Sequence, residues 1–370
     1  MVSVLIVTWN SAQYLQQCFA SLDRQDYRDW EVVVIDNASA DSTRELLQPR
    51  ESQWRVIYND RNVGFAAGQN QAIRAAKGEF LLCLNPDVML ADDFVGRLVE
   101  VAFTHPEAGS ICGKLLRWDP TNDRHQTRIV DSTGIYFTRN MRHLDRGADE
   151  TDNGQYDRAQ YVFGATGAAA MFRRSFVEAV SVDGEFFDED FFSYREDADL
   201  AWRAQVMGWK CVYTPEAVAW HVRRVTPERR EQLPLLINWH SVKNRFLMRG
   251  KNASGWLCRK LLWPVAWRDL MIIGYAVVRD RRLLSAIAYP WRVLDSIRRK
   301  RTIIQARRKV SDHDLIWWFS NTPRGVDVNL STPSLSISGD RPRRSRSLAR
   351  GAFPITTADS SSSPRRLARP

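Results

Sequence analysis

Hydrophobic and polar positions form alternating blocks over the first ninety residues. Four apolar runs predict buried strands, in the order VSVLIVTW, WEVVVIDN, WRVIYN and EFLLCLN. The segments between them are amphipathic; in the first, apolar side chains recur with a helical period at Tyr14, Leu15, Cys18, Phe19 and Leu22. Strands that alternate with helices predict an α/β fold whose mostly parallel central sheet has helices on both faces.

The pattern of apolar and polar residues is less regular beyond the fourth predicted strand. Residues 105–160 are polar, and we expect only short strands there. The segment FFDEDFFSYREDADLAWRAQVMGW ends in a predicted helix, and KCVYTPEAVAWH predicts a further strand that ends at His221.

Polar side chains follow the predicted strands at the points where they end. The pairs are Thr8 and Asn10, Asp36 and Asn37, Asn59 and Asn62, and Asn85 and Asp87. Because parallel sheets bind ligands beyond the carboxyl ends of their strands, this clustering predicts a ligand site. For Asp87 the alternative is a turn residue without a ligand, since the preceding Pro86 cannot continue a central strand.

The charge is divided unevenly along the 370 residues. Residues 243–370 hold 27 Lys and Arg against 8 Asp and Glu, a balance of +19, and because the whole chain carries +10, residues 1–242 carry −9. Such a basic extension is typical of binding to nucleic acid, of an anionic membrane surface or of a disordered arm. The five cysteines form no C-x-x-C pair, which indicates a reducing compartment, and we expect no secretory signal peptide before the first strand.

Residues 256–278 are strongly apolar but contain four charged side chains. The longest uncharged run, Leu270 to Val278, is far shorter than the roughly 20 residues that span a bilayer. The Trp and Tyr residues among arginines predict an interfacial segment on an anionic membrane; the alternative is a packed helical subdomain with a basic outer face. Beyond residue 321 the Ser, Pro and Arg content predicts a disordered tail.

Five stretches in order resemble the family 2 glycosyltransferases, which are inverting enzymes with the GT-A nucleotide-sugar fold. The stretches are VLIVTWNSAQYLQQCFASLDRQ, VVVIDNASADST, NVGFAAGQNQAI, FLLCLNPDV and GEFFDEDFFSYREDADLAWRAQVMGW. The resemblance covers roughly residues 1–225. The NPD sequence, where relatives have Asp-x-Asp, resembles the rhamnosyltransferase-like branch, which acts in cell-wall and surface-polysaccharide assembly.

The resemblance implies a nucleoside diphosphate sugar donor and a divalent cation, Mg²⁺ or Mn²⁺. Asp87 would supply a metal ligand and His221 a second one, although a lone histidine is as often a structural donor. Asn85 replaces the first acidic residue of Asp-x-Asp and would hydrogen-bond the ribose or a coordinated water.

The remaining donor contacts are assigned in the same way. Thr8, Asn10, Asp36 and Asn37 would hold the nucleoside, and Asn62 would lie where the diphosphate or the base edge passes. For Asn10 and Asn37 the alternative role is that of helix caps.

The Glu-Asp motif of the family makes Asp197 the catalytic base that removes the acceptor proton, with Glu196 as the competing choice. Asp199 is expected to be structural and to pair with Arg203 along the helix.

These inferences predict three segments: a GT-A domain over residues 1–240, a basic membrane-associating helical segment over 241–321 and the tail over 322–370.

The expected reaction transfers a sugar, with rhamnose as one candidate, to a saccharide acceptor that is lipid-linked, at the cytoplasmic inner face of the membrane. The alternatives are a nucleic-acid-binding protein, although no such module is present and no nucleic acid is expected, and a catalytically inactive nucleotide-sugar binder. A dinucleotide-dependent oxidoreductase is excluded because no glycine motif follows the first strand.

Overall fold

The computed structural model of the protein describes residues 1–118, 126–223 and 235–328. The strands are β1 Val2–Thr8, β2 Trp30–Asp36, β3 Arg55–Tyr58, β4 Phe80–Leu84, β5 Val88–Leu90, β6 Ala108–Trp118, β7 Gln126–Ser132, β8 Ile135–Phe137, β9 His143–Asp145, β10 Gln160–Val162, β11 Ala169–Arg173, β12 Lys210–His221 and β13 Val326–Asp327. The α-helices are α1 Ala12–Asp23, α2 Thr43–Leu47, α3 Phe65–Ala75, α4 Phe94–Thr104, α5 Arg174–Val180, α6 Glu196–Val206, α7 Leu235–Asn252, α8 Gly255–Lys260, α9 Leu262–Val278, α10 Leu283–Arg292, α11 Leu294–Ala306 and α12 Asp312–Leu315.

The predicted α/β architecture is confirmed. The central sheet has the strand order β13-β10-β12-β6-β11-β4-β1-β2-β3, with β5 beside β12 and β7 beside β6. Strands β4, β1, β2 and β3 run parallel to one another, and β11 is the antiparallel strand that joins them to β6. In this register Thr8 lies opposite Asp36, so the ends of the first two strands meet as predicted.

Alternate side chains of the buried strands enter two cores, one on each face of the sheet. In β4, Leu81 and Cys83 join the core that also contains residues of α3 and α6, whereas Phe80 and Leu82 join the core beneath α1 and α4. The apolar positions predicted for α1 are all buried. Burial on both faces explains why the sequence of β4 lacks alternation.

The C-terminal helices are joined to the GT-A region by buried charges. The Nζ of Lys251 in α7 lies 3.0 Å from Asp199 of α6, and the Nζ of Lys300 in α11 lies 2.6 Å from Asp188; Lys251 also bonds Asp188. The pair that we predicted between Asp199 and Arg203 is wrong, because Arg203 donates to the carbonyl oxygen of Phe186 instead.

The predicted boundary at residue 240 falls within α7, and the division into domains stays a prediction. Among the described residues no helix combines the length and the apolar character that a membrane span requires.

Part of the predicted disordered tail is ordered. Strand β13 pairs antiparallel with β10, where Asp327 lies opposite Gln160 and accepts a hydrogen bond of 2.7 Å from its Nε2. Strand β10 would otherwise leave the backbone N–H and C=O groups of its outer edge unpaired, and a short polar segment can pair with them. Because this pairing depends on the backbone, the composition of residues 322–328 did not reveal it. The rest of the tail, 329–370, lies outside the described residues.

Candidate active site

A cleft of about 430 Å³ lies at the carboxyl ends of the central strands. It brings together five of the predicted site residues, which are Asn85, Asp87, Glu196, Asp197 and His221. The other five do not line this cleft: Thr8 and Asp36 are the last residues of β1 and β2, and Asn10, Asn37 and Asn62 lie in the loops after β1, β2 and β3.

Strand pairing places Asp87 beside His221. Strand β5 pairs antiparallel with the end of β12, so that Val88 lies opposite His221, and the backbone N–H of Val222 donates to the carbonyl oxygen of Asp87. As a result His221 Nε2 lies 3.5 Å from Asp87 Oδ1. Asp87 is therefore part of a cleft rather than of an isolated surface turn.

A third residue fixes the orientation of the imidazole. Asp131 at the end of β7 is buried, and its Oδ2 lies 2.8 Å from His221 Nδ1. Burial lowers the pKa of His221, but the negative charges of Asp131 and Asp87 outweigh burial and raise that pKa to about 10. The second nitrogen of the ring thus faces Asp87 and the cleft.

Asp87 and His221 fit a single Mg²⁺ or Mn²⁺ ion, which would take the place of the proton on His221 Nε2. A histidine that binds a metal usually donates its other ring N–H to a carboxylate, which is the relation between His221 and Asp131. These ions ordinarily complete their coordination with phosphate oxygens and water. No set of three or more His, Cys, Asp or Glu side chains that could hold a metal occurs in the described ranges.

The predicted base, Asp197, is held at the first turn of α6 by backbone N–H groups. Its Oδ2 accepts from Gly167 at 3.0 Å and its Oδ1 from Ala198 at 2.7 Å. The helix packs closely on the loop before β11, because an added Cβ at Gly164 would come within 2.2 Å of Ala201 Cβ. The small residues before β11 therefore let α6 approach the sheet and carry its carboxylates to the cleft.

The two carboxylates of the Glu-Asp motif have different surroundings. Glu196 is buried, and among the described residues its Oε2 has no hydrogen-bond partner. Burial, followed by the charge of Asp197, raises the pKa of Glu196 well above its ordinary value, which favours the protonated form. Burial also raises the pKa of Asp197, but both of its oxygens accept backbone hydrogen bonds that favour the carboxylate.

Thr8 and Asp36 form a buried contact at the ends of β1 and β2. Thr8 Oγ1 donates to Asp36 Oδ1 at 3.2 Å, and Arg44 Nε lies 2.8 Å from Asp36 Oδ2. Asp36 also accepts from the backbone N–H of Ser39, while Asn10 Oδ1 accepts from that of Ala40 at 2.8 Å. These side chains thus shape the loop after β2.

Asn37 and Asn62 converge on the loop before α3. Asn37 Nδ2 donates to the carbonyl oxygen of Gly64 at 3.0 Å, and Asn62 Oδ1 accepts from the backbone N–H of Gly64 at 2.8 Å. The helix-cap alternative is wrong for both Asn10 and Asn37, because neither side chain accepts from the N–H groups of a first helical turn.

The sequence did not single out several residues of the site. Asp131, Arg195 and Arg223 all line the cleft, and Arg223 bridges Asp131 and Asp145 at 3.1 and 2.6 Å. Asp131 lies in the polar region where no motif was visible, so only the folded structure reveals it. For Trp9 the sequence offered a signal, because a large aromatic residue directly follows a buried strand. In the structure Trp9 is 55% exposed.

Comparison with known families now decides the class of protein. The model described as glycosyl transferase family 2 matches residues 3–181. Residues 3–181 form a family 2 glycosyltransferase domain. The match contains Asp87 and the loops after β1, β2 and β3, whereas Asp197 and His221 lie beyond it.

Named relatives of this glycosyltransferase include an L-rhamnosyltransferase and a polysaccharide synthase. The chain is 26% identical over 308 residues, 76% of this chain and 96% of the relative, to an N-acetylglucosaminyl-diphospho-decaprenol L-rhamnosyltransferase from Mycobacterium tuberculosis. It is 21% identical over 225 residues, 59% of this chain, to a poly-beta-1,6-N-acetyl-D-glucosamine synthase from Staphylococcus epidermidis, of which it covers 49%.

A solved structure supports the fold of the glycosyltransferase. GalNAc-T7, crystallised with UDP, GalNAc and Mn²⁺, superimposes with a TM-score of 0.50 and 14% sequence identity. The superposition covers 68% of this chain and 48% of that chain, so the glycosyltransferase spans about half of the solved structure. The GT-A fold predicted from the sequence is confirmed.

Proposed function

We propose that this glycosyltransferase transfers a sugar, with inversion at C1, from a nucleoside diphosphate donor to a saccharide carried on a lipid. The observation that carries the proposal is the single cleft in which the Asp87–His221 pair and Asp197 meet. The Asp87–His221 pair suits the phosphates of a donor. The carboxylate of Asp197 suits the hydroxyl group of an acceptor. The relative that acts on a lipid diphosphate, similar along 96% of its own length, supports the acceptor class and makes rhamnose a candidate sugar.

The donor diphosphate would lie against Asp87 and His221. A bound divalent cation would act there as a Lewis acid that neutralises the charge of the leaving diphosphate. Asp87 and His221 would hold that cation, Asp131 would keep the imidazole in place, and Asn85 on the same cleft wall would hydrogen-bond the ribose or a coordinated water.

The nucleoside would lie over the ends of β1 and β2. Asp36 is fully buried and bound by Thr8 and Arg44, so we assign it to shaping this surface together with Asn10. The exposed ring of Trp9 next to it offers a flat apolar face on which a base can stack. Asn37 and Asn62 would hold the neighbouring loop at Gly64, along the path of the diphosphate.

Asp197 would act as the base. The acceptor hydroxyl oxygen attacks C1 from the face opposite the diphosphate, the C1–O bond to the diphosphate breaks with its electron pair, and the hydroxyl proton passes to Asp197. Glu196 suits this role less well, because burial and the adjacent charge of Asp197 raise its pKa and favour its protonated form.

The lipid-linked acceptor is reached from an anionic membrane surface in this proposal. On α9 the side chains of Trp263, Trp267 and Val278 are 82%, 68% and 79% exposed, and Trp291 of α10 is 77% exposed. Exposed basic residues flank them along the chain, namely Arg259, Lys260, Arg279, Arg281, Arg282 and Arg292. An apolar aromatic face bordered by arginines is typical of a helix that lies in a membrane interface, here the inner face of the cell membrane.

The experiment that tests this function measures transfer directly. The purified protein is incubated with a panel of nucleoside diphosphate sugars and a lipid-linked saccharide, and released nucleoside diphosphate and the anomeric configuration of the product are measured. We expect release with one donor and an inverted product. Retained configuration, or no release with any donor in the presence of Mg²⁺ and Mn²⁺, would refute the proposal.

A further inference from the structure

A second cavity adjoins the active-site cleft. It encloses about 350 Å³ between α7, α9 and the start of α10. Arg142, Arg195 and Ser241 line both spaces, so the two are neighbours that these side chains separate. Arg195 directly precedes the Glu-Asp pair in the chain, and the cavity therefore opens beside the proposed catalytic base.

The lining of this second cavity divides into a cationic part and an apolar part. Four arginines line it, namely Arg142, Arg195, Arg245 and Arg268, and none of its described lining residues is acidic. Met271, Tyr275 and Leu283 supply the apolar part. A space lined by guanidinium groups and by apolar side chains matches an anionic group attached to a hydrocarbon chain.

Two arginines show that the cationic part is built into the protein. Arg245 is 3% exposed, and burial lowers its pKa to about 10 even though Asp269 lies 3.4 Å from its Nε. Arg268 Nε is buried, and within the described residues it has no hydrogen-bond partner. An anion in the cavity would compensate the charges of these arginines, because a guanidinium binds phosphate oxygens in a bidentate manner.

The apolar part continues onto the proposed membrane face. Met271 and Tyr275 line the cavity and are also 51% and 49% exposed on α9, the helix that carries Trp263 and Trp267. A hydrocarbon chain that leaves the cavity along α9 therefore passes directly to the surface that we place on the membrane.

We propose that this cavity binds the diphosphate and the first part of the hydrocarbon chain of the lipid-linked acceptor. The inference rests on the proposed function for the saccharide that the lipid carries. The diphosphate contacts Arg245 and Arg268, the hydrocarbon chain follows Met271 and Tyr275, and the attached sugar passes Arg195 to reach Asp197. Lipid selectivity is thus a property of α7 and α9 and not of the donor site.

Direct binding of farnesyl diphosphate tests this site without any turnover. Calorimetric titration of the full chain compares farnesyl diphosphate with farnesol and with inorganic diphosphate, each in the presence of a saturating nucleoside diphosphate that occupies the donor site. Farnesyl diphosphate should bind at least about tenfold more tightly than either part alone, because charge-assisted hydrogen bonds and apolar burial then act together. Inorganic diphosphate that binds equally well would refute the lipid site.

Matched variants locate the binding. Arg268→Gln should weaken the binding of farnesyl diphosphate about tenfold, since one charge-assisted contact is lost. Arg298→Gln, the same change at an exposed position on α11, should leave that binding unchanged. Met271→Glu, which places a carboxylate at the cavity, should weaken it as well. Equal affinity in wild type and both cavity variants would overturn the proposal.

Transfer assays separate this inference from the proposed function. If Arg268→Gln transfers sugar to the lipid-linked saccharide with an unchanged KM, the cavity proposal fails and the proposed function stands. If farnesyl diphosphate binding depends on Arg268 while no donor supports transfer, the cavity is a lipid diphosphate site and the proposed function fails.

Discussion

His221 Nε2 lies 3.5 Å from Asp87 Oδ1, and the contact depends on the antiparallel pairing of β5 with the last residues of β12. Asp131 holds the opposite nitrogen of the same ring at 2.8 Å. Asp87 lies in the turn between β4 and β5, Asp131 in β7 and His221 in β12, so the site forms only when these strands of the sheet are assembled. This arrangement supports the first prediction.

Asp87→Ala should abolish metal-dependent donor binding together with turnover, because the donor phosphates lose the carboxylate that holds their cation. Titration of donor with and without Mn²⁺ measures the effect. Asp92→Ala removes an exposed carboxylate from the loop between β5 and α4 and serves as the control, with unchanged binding expected. Unchanged metal-dependent affinity in Asp87→Ala would make Asn85, Pro86 and Asp87 no more than a turn.

Asp197→Asn should keep the affinity for the donor while turnover falls by roughly 10²–10⁴-fold, the usual contribution of a positioned base. The amide retains the size of the side chain but cannot take the acceptor proton. Initial rates and donor titration of the same preparation separate the two effects. Wild-type rates would move the base to Glu196 or elsewhere.

The pH dependence of kcat/KM should show an acid limb above the ordinary aspartate pKa of about 3.9. Burial raises the pKa of Asp197, and a base is active only when deprotonated, so activity should rise with pH through that elevated value. The limb should disappear in the residual activity of Asp197→Asn. A limb at or below the ordinary aspartate value would argue against Asp197.

Asp188→Ala should lower the free energy of unfolding by at most about 3–5 kcal/mol, because Lys251 and Lys300 lose the buried carboxylate that they share. Asp199 still pairs with Lys251, and Glu185 and Asp190 still pair with Lys300. Urea unfolding monitored by circular dichroism measures the loss. Asp295→Ala, an exposed carboxylate on α11, is the control and should change stability little.

The stability of the wild type should also fall in acid. Burial alone raises the pKa of Asp188, but Lys251 and Lys300 outweigh burial and hold that pKa below its ordinary range. Its contribution is therefore complete above the unfolded value of about 3.9 and is lost as the pH falls toward the folded value. If Asp188→Ala showed the same acid dependence as the wild type, this pairing would not be its cause.

Trp263→Ser combined with Trp267→Ser should reduce sedimentation with anionic vesicles, since both rings are exposed on α9. Binding of the wild type should also fall at high salt, because each basic side chain near the surface contributes about 1 kcal/mol that salt screens. Phe103→Ser removes a ring of α4 that is 68% exposed, as Trp267 is, and should leave binding unchanged. Equal sedimentation with neutral vesicles, or a salt-dependent shift of duplex DNA, would contradict the membrane assignment.

Point variants suit this test better than removal of the extension. Truncation near residue 250 would delete Lys251 and Lys300, which are buried against Asp188 and Asp199. The helical extension thus contributes to the core that holds α6, and its loss would disturb the catalytic helix as well as the surface.

The sequence alone determined the alternation of strands and helices, the two-sided burial of β4 and the positions of Asp87, Glu196 and Asp197. These features follow from local periodicity and short motifs, which depend on neighbouring residues in the chain. Only the tertiary structure decided that Asp131 orients His221, that Asp36 is bound by Arg44, and that Lys251 rather than Arg203 pairs with Asp199. Each of these contacts depends on sheet pairing, loop geometry or helix packing. These bring together side chains that are far apart in the chain, so no local pattern in the sequence predicts the contact.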